Sequence, residues 1–213
     1  AHELGRRRGR DRLLSRLADS ERVIGECHDR MSAAHAGGRR LSPAAEWLLD
    51  NHYLIEEQVH LARKHFPRGY GRHLPRLRGG ESAGLPRVYD LVVELITHVD
   101  GRVDDEALAR YIAAYQSVTP LTLGELWSVA IMLRLALIEN LRRVAVSISG
   151  KREHRDRALA WAQRLNDPGD RHDSAVLVLA EMVSENPPLS TAFVAQFTQA
   201  LQGRGPATTF VMA

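Results

Sequence analysis

The sequence holds one cysteine, Cys27, and so no internal disulfide is possible. Lysine is nearly missing: Lys64 and Lys151 stand alone, and every other cation among the 29 is arginine. Aromatic residues make up 6%. Long hydrophobic runs are absent as well. The longest, Val129 to Ile138, is interrupted by Arg134. A membrane span needs about 20 apolar residues. No apolar segment follows the first arginines, so no secretory signal is visible. These gaps exclude a disulfide-stapled miniprotein and a spanning helix within these residues. The H-E-x-x-H, G-x-S-x-G, P-loop and dinucleotide glycine patterns are also missing.

What is present is an ordinary globular composition: 213 residues, 44% hydrophobic and 26% charged. A chain of this length hides roughly 70% of its unfolded surface, enough for a real core. The net charge of +3 is too weak and too diffuse for a nucleic-acid protein, and no nucleic acid partner is expected. The basic excess gathers in Arg6, Arg7, Arg8, Arg10 and Arg12. We expect residues 1–12 to be a basic, disordered segment able to touch an anionic lipid surface through Arg6, Arg7, Arg8 and Arg10.

Apolar residues recur at steps of three and four and almost never alternate, which predicts an all-α bundle of about seven to eight helices. The first helix runs from about 11 to 36 and stops at Gly37-Gly38. Ser42-Pro43 opens a second that reaches Phe66 before Pro67. Residues 67–85 form a long irregular connection rich in glycine, proline and arginine. A third helix follows Pro86. A fourth starts behind Asp104, where acids suit the dipole. Thr122-Leu123-Gly124-Glu125 reads as a capping box. The helix behind it, 122 to about 149, is apolar on nearly every side, which puts it at the centre of the bundle. The polar stretch 150–156 separates it from another helix around Trp161, and two more cover about 174–185 and 190–201. We expect one domain over 13–202 and a linker at 203–213. The missing initiator Met and the apolar end Phe210-Val211-Met212 lead us to expect a piece of a longer chain.

Candidate chemistry is sparse. His60 and His65, or His28 and His35, lack metal-ligand spacing, and no metal or other cofactor is expected. Glu56-Glu57 are helix neighbours pointing about 100° apart and cannot share one site. No catalytic residue is assigned. Two groups stand out. Asp50, Asn51, Glu56, Arg134, Glu139 and Asn140 are polar residues on apolar helices, and a buried charge needs a partner. They form either an internal ion-pair network that fixes helix register or a polar groove for a ligand or partner. Arg134 is expected to be buried, with Glu56 or Asp50 as its first partner. The second group, Arg68, Tyr70, Arg72, His73, Arg76 and Arg78 in the 67–85 connection, has the guanidinium and ring chemistry that suits sugar or phosphate.

The tracts Ser42 to Asn51, Glu56-Glu57-Gln58, Pro67 to Tyr70, Leu74 to Leu77, Pro86 to Tyr89, Ala114-Tyr115-Gln116, Leu121 to Trp127 and Ile138 to Arg142, in this order, resemble the N-terminal region of cyclic β-1,2-glucan synthases. The resemblance implies a very large bacterial inner-membrane protein that builds a β-1,2-linked glucan from UDP-glucose and cyclises it, the product going to the periplasm. It also implies that the glycosyltransferase, the membrane helices and a phosphorylase-like domain lie downstream in the same polypeptide. This chain has neither the D-x-D nor the Q-x-x-R-W of a processive glycosyltransferase; Asp104-Asp105 do not supply the spacing. The resemblance therefore carries a parent identity and no catalytic residue. It implies a non-catalytic docking region on the cytoplasmic side of the inner membrane, partnered by the downstream domains. A carbohydrate- or nucleotide-binding accessory module using the 67–85 loop is the alternative, and a helical nucleic-acid-binding regulator the second.

Overall fold

A computed structural model describes residues 4–5, 12–66, 69–80, 82–99, 101–166 and 174–202. Among them are eight α-helices and one two-residue strand pair, the all-α bundle that the periodicity predicts. The elements run β1 (Leu4–Gly5), α1 (Leu13–Ala36), α2 (Pro43–Asp50), α3 (His52–His65), β2 (Arg76–Leu77), α4 (Arg87–His98), α5 (Asp105–Gln116), α6 (Leu123–Asn166), α7 (Ser174–Glu185) and α8 (Thr191–Gln202). Strands β1 and β2 are antiparallel, with Leu4 opposite Leu77 and Gly5 opposite Arg76. The chain divides into two compact units, Ala1–Val146 and Ser147–Ala213, with the boundary inside α6.

The helix starts follow local chemistry. The Ala45 N–H donates to Ser42 Oγ at 3.3 Å, with Pro43 in the first turn. At α5 the Ala107 N–H donates to Asp104 Oδ1 at 2.6 Å. At α6 the box closes both ways: the Thr122 N–H donates to Glu125 Oε2 at 2.9 Å and the Glu125 N–H donates to Thr122 Oγ1 at 3.3 Å. Helix α1 ends where Gly38 takes φ +70°, a conformation that suits a residue without Cβ.

Two boundaries depart from the sequence expectation. The helix expected over 42–66 is broken at Asn51, whose Nδ2 donates to the Trp47 carbonyl at 2.8 Å; a side chain competing for backbone acceptors bends the chain there. The break expected at 150–156 does not occur. One lone glycine costs only about 1 kcal/mol in a helix. Around it stand good helix formers, and Arg152–Asp156 (3.7 Å) and Glu153–Arg157 (2.8 Å) pair one turn apart.

In the first unit the core is built from Leu13, Leu17, Ile24, Cys27 and Met31 of α1, with Leu48, Ile55, Val59 and Phe66 behind them. Val88, Leu91, Val92, Leu95 and Ile96 come from α4, and Met132, Leu135 and Ile138 from α6. A side cluster packs Leu91, Ile112 and Leu121 against Leu108, Tyr111 and Tyr115. Helix α6 contributes one stripe at steps of three and four: Glu125, Ser128, Met132 and Leu135 are buried. Ala136 and Ile138 beside it are buried too, but Trp127 is 77% exposed, and Leu123 and Val144 are also exposed, so this helix is not covered on all sides.

The second unit packs Ala158 and Trp161 against Phe193, with Val178, Met182 and Phe197 around them. Ser190 caps α8, accepting from the Phe193 N–H at 3.2 Å and pairing with His154 Nδ1 at 2.7 Å.

Candidate functional site

Among the described residues the arginine buried against a carboxylate is Arg87, not Arg134. Arg87 is 2% exposed at the first turn of α4, and Glu125, 0% exposed, meets it from the first turn of α6. The contact is bidentate, Nε to Oε1 at 2.9 Å and Nη2 to Oε2 at 2.7 Å. Nη2 also donates to the Pro120 carbonyl at 3.3 Å, and the guanidinium lies 5.8 Å from the Tyr115 ring centroid. Burial by itself would raise the Glu125 pKa. The bonds from Arg87 and Thr122 outweigh it and hold the carboxyl below its ordinary value. The bond to Glu125 in turn raises the Arg87 pKa against the cost of burial. One carboxylate thus closes the capping box and ties α4 to α6.

A second polar knot joins α1, α4 and α6. Glu139 accepts from Arg16 Nε at 3.1 Å, pairs with Arg16 Nη2, and accepts from the Tyr89 hydroxyl. Burial, then the bond to Glu139, pushes the Tyr89 phenol well up. Burial opposes the charge of Glu139, but Tyr89 and Arg16 overcome it and keep its pKa below ordinary. Beside this knot a polar recess of about 370 Å³ is lined by Ser15, Arg16, Asp19, Ser20, Glu139 and Arg142.

The expected network therefore does not assemble as one cluster. Glu139 is paired, but with α1 and α4. Asp50 and Glu56 are exposed, and Glu56 reaches only His52, at 3.7 Å. Asn51 is spent on the Trp47 carbonyl. Asn140 lies near Gly101, where a Cβ would come within 3.3 Å of its Nδ2. Arg134 is half-buried, its Nη1 3.5 Å from His65 Nδ1. The reason is register. Position 134 points well away from the α6 stripe defined by 128, 132 and 135, so it lies on the outer side of the helix rather than in the core.

In the 67–85 connection, Arg76 is turned inward and 4% exposed, which removes it from any contact surface. Its Nη2 donates to the Gly71 carbonyl at 2.9 Å and its Nη1 to the Gly84 carbonyl, clamping the two ends of the loop. Tyr70 packs edge-on against Phe66 and its hydroxyl donates to the Gly124 carbonyl at 3.4 Å. His73 and Arg78 are exposed. Arg68 lies outside the described residues, as do Arg6, Arg7, Arg8 and Arg10; of Arg72 only the backbone is described, in a short 3-10 turn.

The remaining feature of the first unit is an apolar groove of about 460 Å³ between the α2–α3 face and α6. Trp47, Asn51, Leu54, Ile55 and Gln58 form one wall, and Ala130, Leu133, Arg134, Leu137, Ile138 and Leu141 the other. Sequence reading missed both Arg87 and this groove. For Arg87 one signal was available: an arginine opening an apolar helix, with a capping-box glutamate elsewhere in the chain.

The chain is 36% identical, over 157 residues, to the cyclic β-(1,2)-glucan synthase NdvB of Rhizobium meliloti (strain 1021). It is related to cyclic β-(1,2)-glucan synthases. The match covers 72% of this chain and 6% of the relative's length, so these residues correspond to a small segment of that synthase. No protein-family model matches the chain. The measured identity agrees with the resemblance read from the tracts between Ser42 and Arg142. Among the described residues no helix is long and apolar enough to cross a membrane. No group of three or more metal-ligating side chains is found among them.

Proposed function

We propose that this chain is the helical N-terminal region of a cyclic β-1,2-glucan synthase, on the cytoplasmic side of the bacterial inner membrane. In this reading it positions the glycosyltransferase and membrane domains of the same polypeptide and performs no chemistry of its own. The observation that carries the proposal is the 36% identity to a segment amounting to 6% of a glucan synthase. The internal chemistry fits a positional role. Arg87–Glu125 and Arg16–Glu139–Tyr89 join the region's own helices, which makes a firm support out of helices drawn from distant parts of the chain. The sequence also lacks the D-x-D and Q-x-x-R-W patterns that a processive glucosyltransferase uses.

Two measurements test the proposal. The purified 213-residue chain, incubated with UDP-[¹⁴C]glucose, should form no polymer; any β-1,2-linked product refutes the non-catalytic reading. Deleting the stretch that corresponds to residues 42–201 from the full-length synthase should lower glucan output or assembly. Normal expression with unchanged output refutes the positional reading.

A further inference from the structure

The groove between α2–α3 and α6 is built from two helical faces. Positions 47, 51, 54, 55 and 58 on one wall, and 130, 133, 134, 137, 138 and 141 on the other, each follow the three-and-four repeat over about three turns. Both walls end in exposed rings: Trp47 is 54% exposed, and Trp127, one turn before Ala130, is 77% exposed. With its exposed rims, this apolar surface is open to contact with another apolar face. Its shape, two ridged walls about 18 Å long, is what a third helix packs into.

The charge in the groove says what that helix carries. Arg134 is the one charged residue of the lining. Among the described residues its polar neighbour is His65 Nδ1 at 3.5 Å, and no carboxylate lies within ion-pair distance. Covering the groove would take this guanidinium out of water, which is costly without an anion. The occupant must bring one.

We propose that this groove receives an amphipathic helix from the rest of the synthase polypeptide, one that sets apolar side chains against Leu54, Leu133, Leu137 and Leu141 and a carboxylate against Arg134. The inference rests on the reading of this chain as part of a glucan synthase. It goes beyond it by naming the surface and the chemistry of the partner.

The test uses the full-length synthase in its membrane, with the photo-cross-linker p-benzoylphenylalanine replacing Trp47 at the rim, and replacing Arg110 on α5 as the control. Position 47 should cross-link to a segment outside these 213 residues that has an apolar three-and-four repeat and an acid within one turn of it. Arg134→Glu should reduce that cross-link roughly tenfold or more, and exchanging the partner acid for arginine should restore it. The purified Arg134→Glu chain should melt as wild type, which excludes misfolding as the cause. Cross-links only to lipid, to glucan or within residues 1–213 (a second copy included), cross-links to a segment without that acid, or no cross-link at all overturn the inference. The two proposals fail separately. If deleting the region lowers glucan output but position 47 captures no such helix, the groove assignment falls and the positional role stands. If the helix is captured but deletion leaves output unchanged, the positional role falls.

Discussion

Replacing Arg87 by methionine keeps an apolar stem of similar length and deletes the charge. The structure gives the losses directly: two short bonds to Glu125, one to the Pro120 carbonyl and the face of Tyr115. What remains is a fully buried carboxylate held by Thr122 alone. Breaking a buried pair from one side costs about 3 to 5 kcal/mol, because the survivor is stranded. For a chain of this length that corresponds to a fall in Tm of roughly 6–20 °C. The double variant Arg87→Met/Glu125→Met should regain most of the loss, since removing both charges is far cheaper than removing one. Acid sharpens the test. In the wild type the Glu125 pKa is depressed, so its contribution is present above the ordinary carboxylate range, near 4.3, and is lost as pH falls through its lower folded value. In Arg87→Met the burial penalty is no longer outweighed, and protonation relieves it. The gap between variant and wild type should therefore narrow as pH falls. Differential scanning calorimetry from pH 7 down to about 3.5 reads all of this. An Arg87→Met melt within about 2 °C of wild type at pH 7, or a double variant no better than the single one, would refute the reasoning.

Three further expectations follow from particular contacts. Thr122→Ala removes one arm of the capping box and should cost about 1 kcal/mol in chemical denaturation, with no change in the denaturant slope. The rings of His28 and His52 stand 4.0 Å apart between α1 and α3, facing Asp29 and Glu56, and burial followed by His28's charge lowers the His52 pKa. Stability from this contact is present above about 6.5 and lost as pH falls through the lower folded value, and His52→Phe should flatten that loss in a pH series of melts. Arg76→Met frees the carbonyls of Gly71 and Gly84, so amide exchange in residues 71–85 should speed up while α1 and α4 keep their protection. Unchanged exchange in that loop would show that the clamp is dispensable.

The sequence by itself determined the helix starts, because a cap is a matter between residues three apart. Ser42, Asp104 and Thr122 each do what their side chains and spacing dictate. It determined the helical class through the three-and-four repeat, and the kinship with glucan synthases through uncommon words in order. It did not determine where α2 parts from α3, because that turns on a competition between the Asn51 amide and the regular ladder. Nor did it reveal that α6 runs unbroken through Gly150, where pairs across the polar stretch offset the weak residue. The choice between Arg87 and Arg134 was decided by the tertiary structure, since the capping-box glutamate hints at a partner for Arg87 without saying which helix meets it. Both arginines stand among apolar neighbours, and on α6 apolar residues surround the axis, so periodicity names no inner face. Only the packing of α4 against the first turn of α6 selects the stripe of Glu125, Ser128, Met132 and Leu135. That choice buries Arg87 with its carboxylate. It leaves Arg134, on the side of α6 away from that stripe, lining a groove in which no carboxylate pairs with it among the described residues.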